Sequence, residues 1–89
     1  MSSDVRFMHI RKFTPQGGIS NLGGATVAYT EVHSGVCYAV AKCSALDNFS
    51  KVFGRMKSAG RLHSDSYRNY DTVTLDEFED MLLAGEISL

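Results

Sequence analysis

Residues 25–43 read ATVAYTEVHSGVCYAVAKC, and this stretch decides the fold class. Two runs rich in β-branched, aromatic and small residues flank Ser34-Gly35, the strongest hairpin signal in the chain. With a two-residue turn there, Val32 faces Cys37, Thr30 faces Ala39, Ala28 faces Ala41 and Thr26 faces Cys43. That face is nearly all small. The other face pairs Glu31 with Tyr38, Tyr29 with Val40 and Val27 with Lys42. The small face suits an element that presses closely onto the sheet, and an aromatic-bearing helix is the expected occupant. A three-residue turn would change the pairing, so the register follows the turn.

Upstream, VRFMHIRKF over 5–13 alternates imperfectly and reads as a strand. TPQGGISNLGG then holds four glycines and the single proline, the composition of a loop or hairpin connection. Downstream, Ser44 reads as an N-cap with Asp47 three residues on, which predicts a helix over 45–59. On a 100° wheel Leu46, Phe49, Val52, Phe53, Met56 and Ala59 form its apolar side, and Gly60 follows as a cap. A polar loop over 61–73 carries Tyr67, Arg68 and Tyr70, with room for a short strand at its end. Thr74 and Glu77 then form a capping box for a helix over 75–84, with Leu75, Phe78, Met81 and Leu82 as its stripe and Gly85 as its stop. Phe49, Phe53, Met56, Phe78 and Leu82 are the expected core.

The expected fold class is α+β: a small antiparallel sheet, built from the hairpin at 25–43 and an N-terminal strand, followed by two helices. At 89 residues, 44% apolar and 21% charged, the chain is expected to fold as one domain over 1–89. A domain this small buries only about 60–65% of the surface its unfolded chain exposes, so it often gains support from a disulfide, a metal or a second copy. Cys37 and Cys43 sit in one strand-like run, roughly 20 Å apart by strand rise, beyond the reach of a disulfide. They read as reduced thiols. His9, His33 and His63 are scattered without metal-ligand spacing. No cofactor is expected, and a homo-oligomer becomes the favoured supplement. The start MSSDVRFMHI lacks a signal-peptide pattern and no apolar run approaches the ~20 residues of a bilayer span, so the expected location is the cytoplasm, with no membrane partner.

In DNFSKVFGRMKSAGRL, residues 47–62, the question is why a helix tolerates Gly54. Glycine costs about 1 kcal/mol against alanine in a helix interior. Ser50, Gly54 and Ser58 recur at intervals of four, a small-residue stripe that lets another backbone approach closely. Close packing of a neighbouring element is the simpler account; close approach of a ligand is the other. Charge is divided along the chain. Lys42, Lys51, Arg55, Lys57 and Arg61 face one acid, Asp47, over 42–61, whereas six acids and no base occupy 71–86. Lys51, Arg55, Lys57 and Arg61 therefore make a candidate anion site, in which Arg55 and Arg61 grip phosphate through paired hydrogen bonds and Tyr67 and Tyr70 stack on a base. In the competing account the basic helix pairs with the acidic one or is merely solvated.

Duplex nucleic acid is a poor match for a chain of net charge −1 that carries an acidic helix. No nucleophile–base or paired-carboxylate motif is visible, so the expectation is a binding protein rather than an enzyme.

GGATVAY, CYAVAKCS and DNFSKVFGRMKSAGRL together resemble small phage accessory proteins with a β-hairpin followed by a D-x-F…G-R…A-x-G-R-L helix. The resemblance covers about 24–62 and contains no catalytic signature. The same plan is similar to that of phage sponge proteins that sequester the cyclic nucleotide signals of Thoeris- and CBASS-type bacterial defences. The resemblance assigns no binding residue. It implies a non-catalytic anti-defence protein that binds a cyclic nucleotide or another phosphorylated small molecule as an oligomer. The alternative is a protein that blocks a host defence protein by direct contact, with Asp76, Glu77, Glu79 and Asp80 imitating phosphates.

Overall fold

The computed structural model describes residues 4–87. Four strands, β1 (Arg6–Ile10), β2 (Ala25–Val32), β3 (Gly35–Lys42) and β4 (Asn69–Asp71), form one antiparallel sheet in the order β1-β2-β3-β4. Helix α1 (Lys51–Leu62) connects β3 to β4, and α2 (Leu75–Ala84) follows β4. The chain is an α+β domain.

Side-chain alternation divides the sheet into two unlike faces. Ala28, Cys37 and Ala39 meet Leu62 of α1 on one side, with Val5, Phe7 and Val32 at the margin. Val27, Tyr29 and Val36 meet Phe78 and Leu82 of α2 on the other. The helices therefore lie on opposite faces, and the sheet between them keeps the basic helix from the acidic one.

The hairpin differs from expectation in its turn. His33-Ser34 makes the turn, Val32 pairs with Gly35, Thr30 with Cys37 and Ala28 with Ala39. The register is thus two residues away from the expected pairing. A slip of two preserves the faces, so the small set and the large set keep their sides. The reason for the slip is non-local. Gly35 belongs to β3 because a Cβ there would collide with the Asp71 carbonyl oxygen at the end of β4, and its φ of 154° suits glycine.

Two element boundaries also move. β1 stops at Ile10 rather than 13, and Phe13 instead bridges Ile19 across the glycine-rich loop. α1 begins at Lys51, not 45. The Phe49 N–H donates to the Asn21 carbonyl at 2.7 Å and the Gly23 N–H to the Asp47 carbonyl at 3.1 Å, so residues 47–49 are tied to the loop and withheld from the helix. Ser50 is the true N-cap, accepting from the Phe53 N–H at 3.1 Å. Gly60 lies inside the helix, and His63 follows its end. By contrast α2 spans Leu75–Ala84 with Thr74 and Gly85 as caps, as expected.

α1 turns its small side inward, not the apolar side that its wheel predicts. Phe53 is 62% exposed, Met56 71%, and Val52 and Leu46 are exposed as well, whereas Ser58 and Leu62 are buried. Phe49 is only half-buried. Gly54 rests on Thr26 so closely that a Cβ would collide with the threonine side chain. A face of alanines and a threonine leaves little space above it, and only a helix side of matching smallness can descend onto it. Bulky Phe53 and Met56 would hold α1 away from the sheet. Small meets small.

Candidate functional site

The small contact fixes where α1 stands, and with it the basic side chains. Ser58 is fully buried, and its hydroxyl donates to the Gly54 carbonyl at 2.7 Å. Gly54 sits on Thr26, whose Oγ1 is 2.9 Å from His9 Nδ1. From this anchored centre the candidate residues radiate in three directions.

Lys51 and Arg55 lie toward β1, beside His9. Burial, and then the charges of Lys51, Arg55 and Arg11, hold the His9 imidazole below its usual pKa, so it is neutral at pH 7. The His9 ring also meets Phe49 edge-on at 5.6 Å, and the Arg11 guanidinium lies over the Phe49 ring, 4.3 Å from its centroid. Arg11 donates to the Ser20 carbonyl at 3.0 Å, while its buried Nε has no hydrogen-bond partner among the described residues.

Arg61 and Tyr67 lie at the C-terminal end of α1. Arg61 Nη1 donates to the Val40 carbonyl at 2.8 Å, and its guanidinium stands 5.3 Å from the Tyr67 ring centroid. Among the described residues β4 pairs with Val36, Cys37 and Tyr38. Arg61 thus supplies a donor at the β3 edge where the fourth strand runs out. Tyr70 is exposed on β4, with the Arg68 guanidinium 5.9 Å from its ring, and Arg68 is paired with Asp65. An open groove of about 770 Å³ adjoins this end, lined among others by Cys37, Leu62, His63, Arg68 and Tyr70. Burial pushes the Cys37 thiol pKa up, against the opposing influence of Arg68 and Tyr70.

Lys57, Gly54 and Ser50 converge in the third direction. They line a cleft of about 680 Å³ between the first turns of α1 and the end of the hairpin, together with Lys42, Phe49 and Phe53. Lys57 Nζ is 5.8 Å from the Phe53 ring centroid. Asp47 also contributes to the rim, so the cleft is cationic but not uniformly so. It opens at the N-terminus of α1, whose first turn carries no acid. The volume lies within the range of small-molecule sites.

The six residues expected to bind ligand do not form one site. Lys57 joins the cleft, Lys51 and Arg55 stand toward β1, and Arg61, Tyr67 and Tyr70 gather at the far end. Lys42 and Phe49 are the additions, and the sequence signals for them point elsewhere: Lys42 reads as a hairpin residue and Phe49 as core. No ion pair to Lys51, Arg55, Lys57 or Arg61 forms among the described residues; those present are Arg6–Glu79 and Arg68–Asp65. Among the described residues no group of three His, Cys, Asp or Glu side chains is placed to hold a metal ion, and no helix is long and apolar enough to cross a membrane. Both cysteines are free thiols. The chain matches no protein-family model, no curated protein and no solved structure.

Proposed function

We propose that the protein is a non-catalytic binding protein for a small phosphorylated molecule that carries an aromatic base, held in the cleft at the N-terminus of α1. The observation that carries this reading is the composition of that cleft: Lys42 and Lys57 supply cations, while Phe49 and Phe53 supply aromatic faces. Phosphate is attracted to lysines and to an acid-free helix N-terminus, and a base stacks on an exposed ring. Cyclic nucleotides combine both parts in one compact molecule. In the phage setting implied by the resemblance, such a protein acts in the host cytoplasm by sequestering an immune signal, and it does so as an oligomer.

A second reading, contact with a host protein through the acidic helix, is favoured by one observation. Asp76, Glu77 and Asp80 are all carried by α2, on the helix that also exposes Leu83. That is a protein-like surface of acids around an apolar residue.

Thermal shift of the full chain with a panel of cyclic nucleotides, cyclic dinucleotides and ADP-ribose derivatives tests the first reading. A binder present at 100 times its Kd adds about 2.7 kcal/mol of stability. Lys42→Ala with Lys57→Ala should remove that shift and leave the circular dichroism spectrum of the unliganded chain unchanged. A panel without any stabilising compound, or a shift that survives in the double variant, rules out this cleft.

A further inference from the structure

We propose that copies of this chain assemble head to tail, the outer face of α1 on one copy docking on the outer face of α2 on the next. The starting point is the orientation of α1. Its small residues face the sheet, so Val52, Phe53 and Met56 form an apolar strip directed at solvent, each at least 60% exposed. Lys57 flanks this strip on one side, Lys51 and Arg55 on the other. No acid occurs in the helix. Exposed apolar surface concentrated on one helix, with a rim of single-sign charge, is the anatomy of an interface.

The complementary surface is on the same chain. α2 carries Asp76, Glu77 and Asp80 on the helix that exposes Leu83, which is 76% exposed, and it contains no base. Glu79 is engaged inward, with Tyr29 and Arg6. The two outer faces are opposite in charge, and each carries apolar side chains. They cannot meet within one molecule, because α1 and α2 cover opposite faces of the sheet. A second copy is the partner that supplies each face with what it lacks.

Charge also decides the type of assembly. Pairing α1 with α1 about a two-fold axis would oppose cation to cation, and pairing α2 with α2 would oppose acid to acid. The α1–α2 contact is therefore heterologous. Since the faces are on opposite sides, one contact leaves an unsatisfied α1 and an unsatisfied α2 at the ends, and growth continues into a ring or a filament. A closed dimer cannot satisfy both faces at once. This inference stands independently of the ligand cleft, although Phe53 and Lys57 border both surfaces.

Sedimentation velocity on the full chain without added ligand, across the micromolar range and at low and high salt, gives the first test. The expected result is species larger than a dimer that grow with concentration and recede as salt screens the charges. Charge reversal gives the second. Lys51→Glu with Lys57→Glu on α1, or Asp76→Lys with Asp80→Lys on α2, should each yield a monomer with an unchanged circular dichroism spectrum. Mixing the two double variants should restore assembly, because each then offers the face that the other needs. If either pair unfolds, the chain that combines all four changes decides: its two faces are again opposite, and it must assemble. A monomer at every concentration, a dimer that does not grow, or variants that stay monomeric when mixed would each overturn the proposal.

Discussion

The two helices cover the two faces of one sheet by opposite means. α2 fills space: the Phe78 ring lies 5.2 Å from Tyr29 and 5.0 Å from Tyr38, with Leu82 beside it in the same core. α1 removes space: Gly54 and Ser58 let its backbone descend onto Thr26 and the sheet alanines. In the first case stability comes from what the side chains occupy. In the second it comes from what is missing, and the bulky residues of the helix are left on the outside. Each arrangement responds differently to substitution.

The largest effect should come from emptying the filled side. Phe78 is fully buried, so Phe78→Ala should cost about 3–5 kcal/mol and lower the denaturant midpoint accordingly. Next comes filling the empty side. Gly54→Val adds a side chain where even a Cβ collides with Thr26, and overpacking of this kind costs about 1–3 kcal/mol or more. Gly54→Ala should already destabilise, against its higher helix propensity. A Gly54→Ala variant more stable than the parent would show that α1 does not need its close approach.

A smaller effect should come from the polar contact on the α2 side. The Tyr29 hydroxyl donates to Glu79 at 2.6 Å, and Arg6 reaches the same oxygen at 3.2 Å. The Tyr29 hydrogen bond, then Arg6, holds the Glu79 carboxyl below its usual pKa despite some burial, while burial and then Glu79 push Tyr29 up to about 12. The sign follows from which state holds the proton more tightly. Glu79 contributes stability above its ordinary pKa, and this is lost as pH falls through the lower folded value. Tyr29 contributes stability in full below about 10, its unfolded value, and this is lost as pH rises toward 12. Tyr29→Phe should cost about 0.5–1.5 kcal/mol at neutral pH and flatten the stability profile at both ends. Chemical denaturation of parent and variant across that pH range measures it.

What was legible in the sequence follows the same division. α2 could be read to the residue because Thr74, Glu77, Gly85 and the Phe78/Leu82 stripe act within one helix, and filling a core is what an apolar stripe ordinarily does. The two sheet faces could be read because alternation is local. α1 could not be oriented by its wheel. The wheel ranks Phe53 and Met56 as inward by hydrophobicity, while the Ser50, Gly54 and Ser58 stripe and the small face of the hairpin carry the opposing instruction. The two signals are separated in sequence and become one only when stacked. The hairpin turn was hidden for a similar reason, since Gly35 is required by β4, more than thirty residues later. In the candidate site, Gly54 and Lys57 were within reach of pattern reading. Arg61 was visible as a cation, but its bond to the Val40 carbonyl at the far end of α1 was not, because that bond depends on where β4 lies.

The smallest expected effect is the most discriminating one. An inward Phe53 would make Phe53→Ala as costly as the Phe78 change. At 62% exposure on the outer side of α1, Phe53 has little to lose on truncation within its own chain. The stability of the monomer, measured at protein concentrations low enough to suppress association, should therefore change by no more than about 0.5 kcal/mol. The loss should appear elsewhere. A large, rigid aromatic at the centre of an apolar strip is the kind of residue that dominates an interface, and its removal there should weaken self-association more than roughly tenfold. Equal and small changes in both measurements would mean that the outer side of α1 is an idle surface. A large fall in monomer stability would mean that the helix is turned the other way, and the contrast between its two sides would go with it.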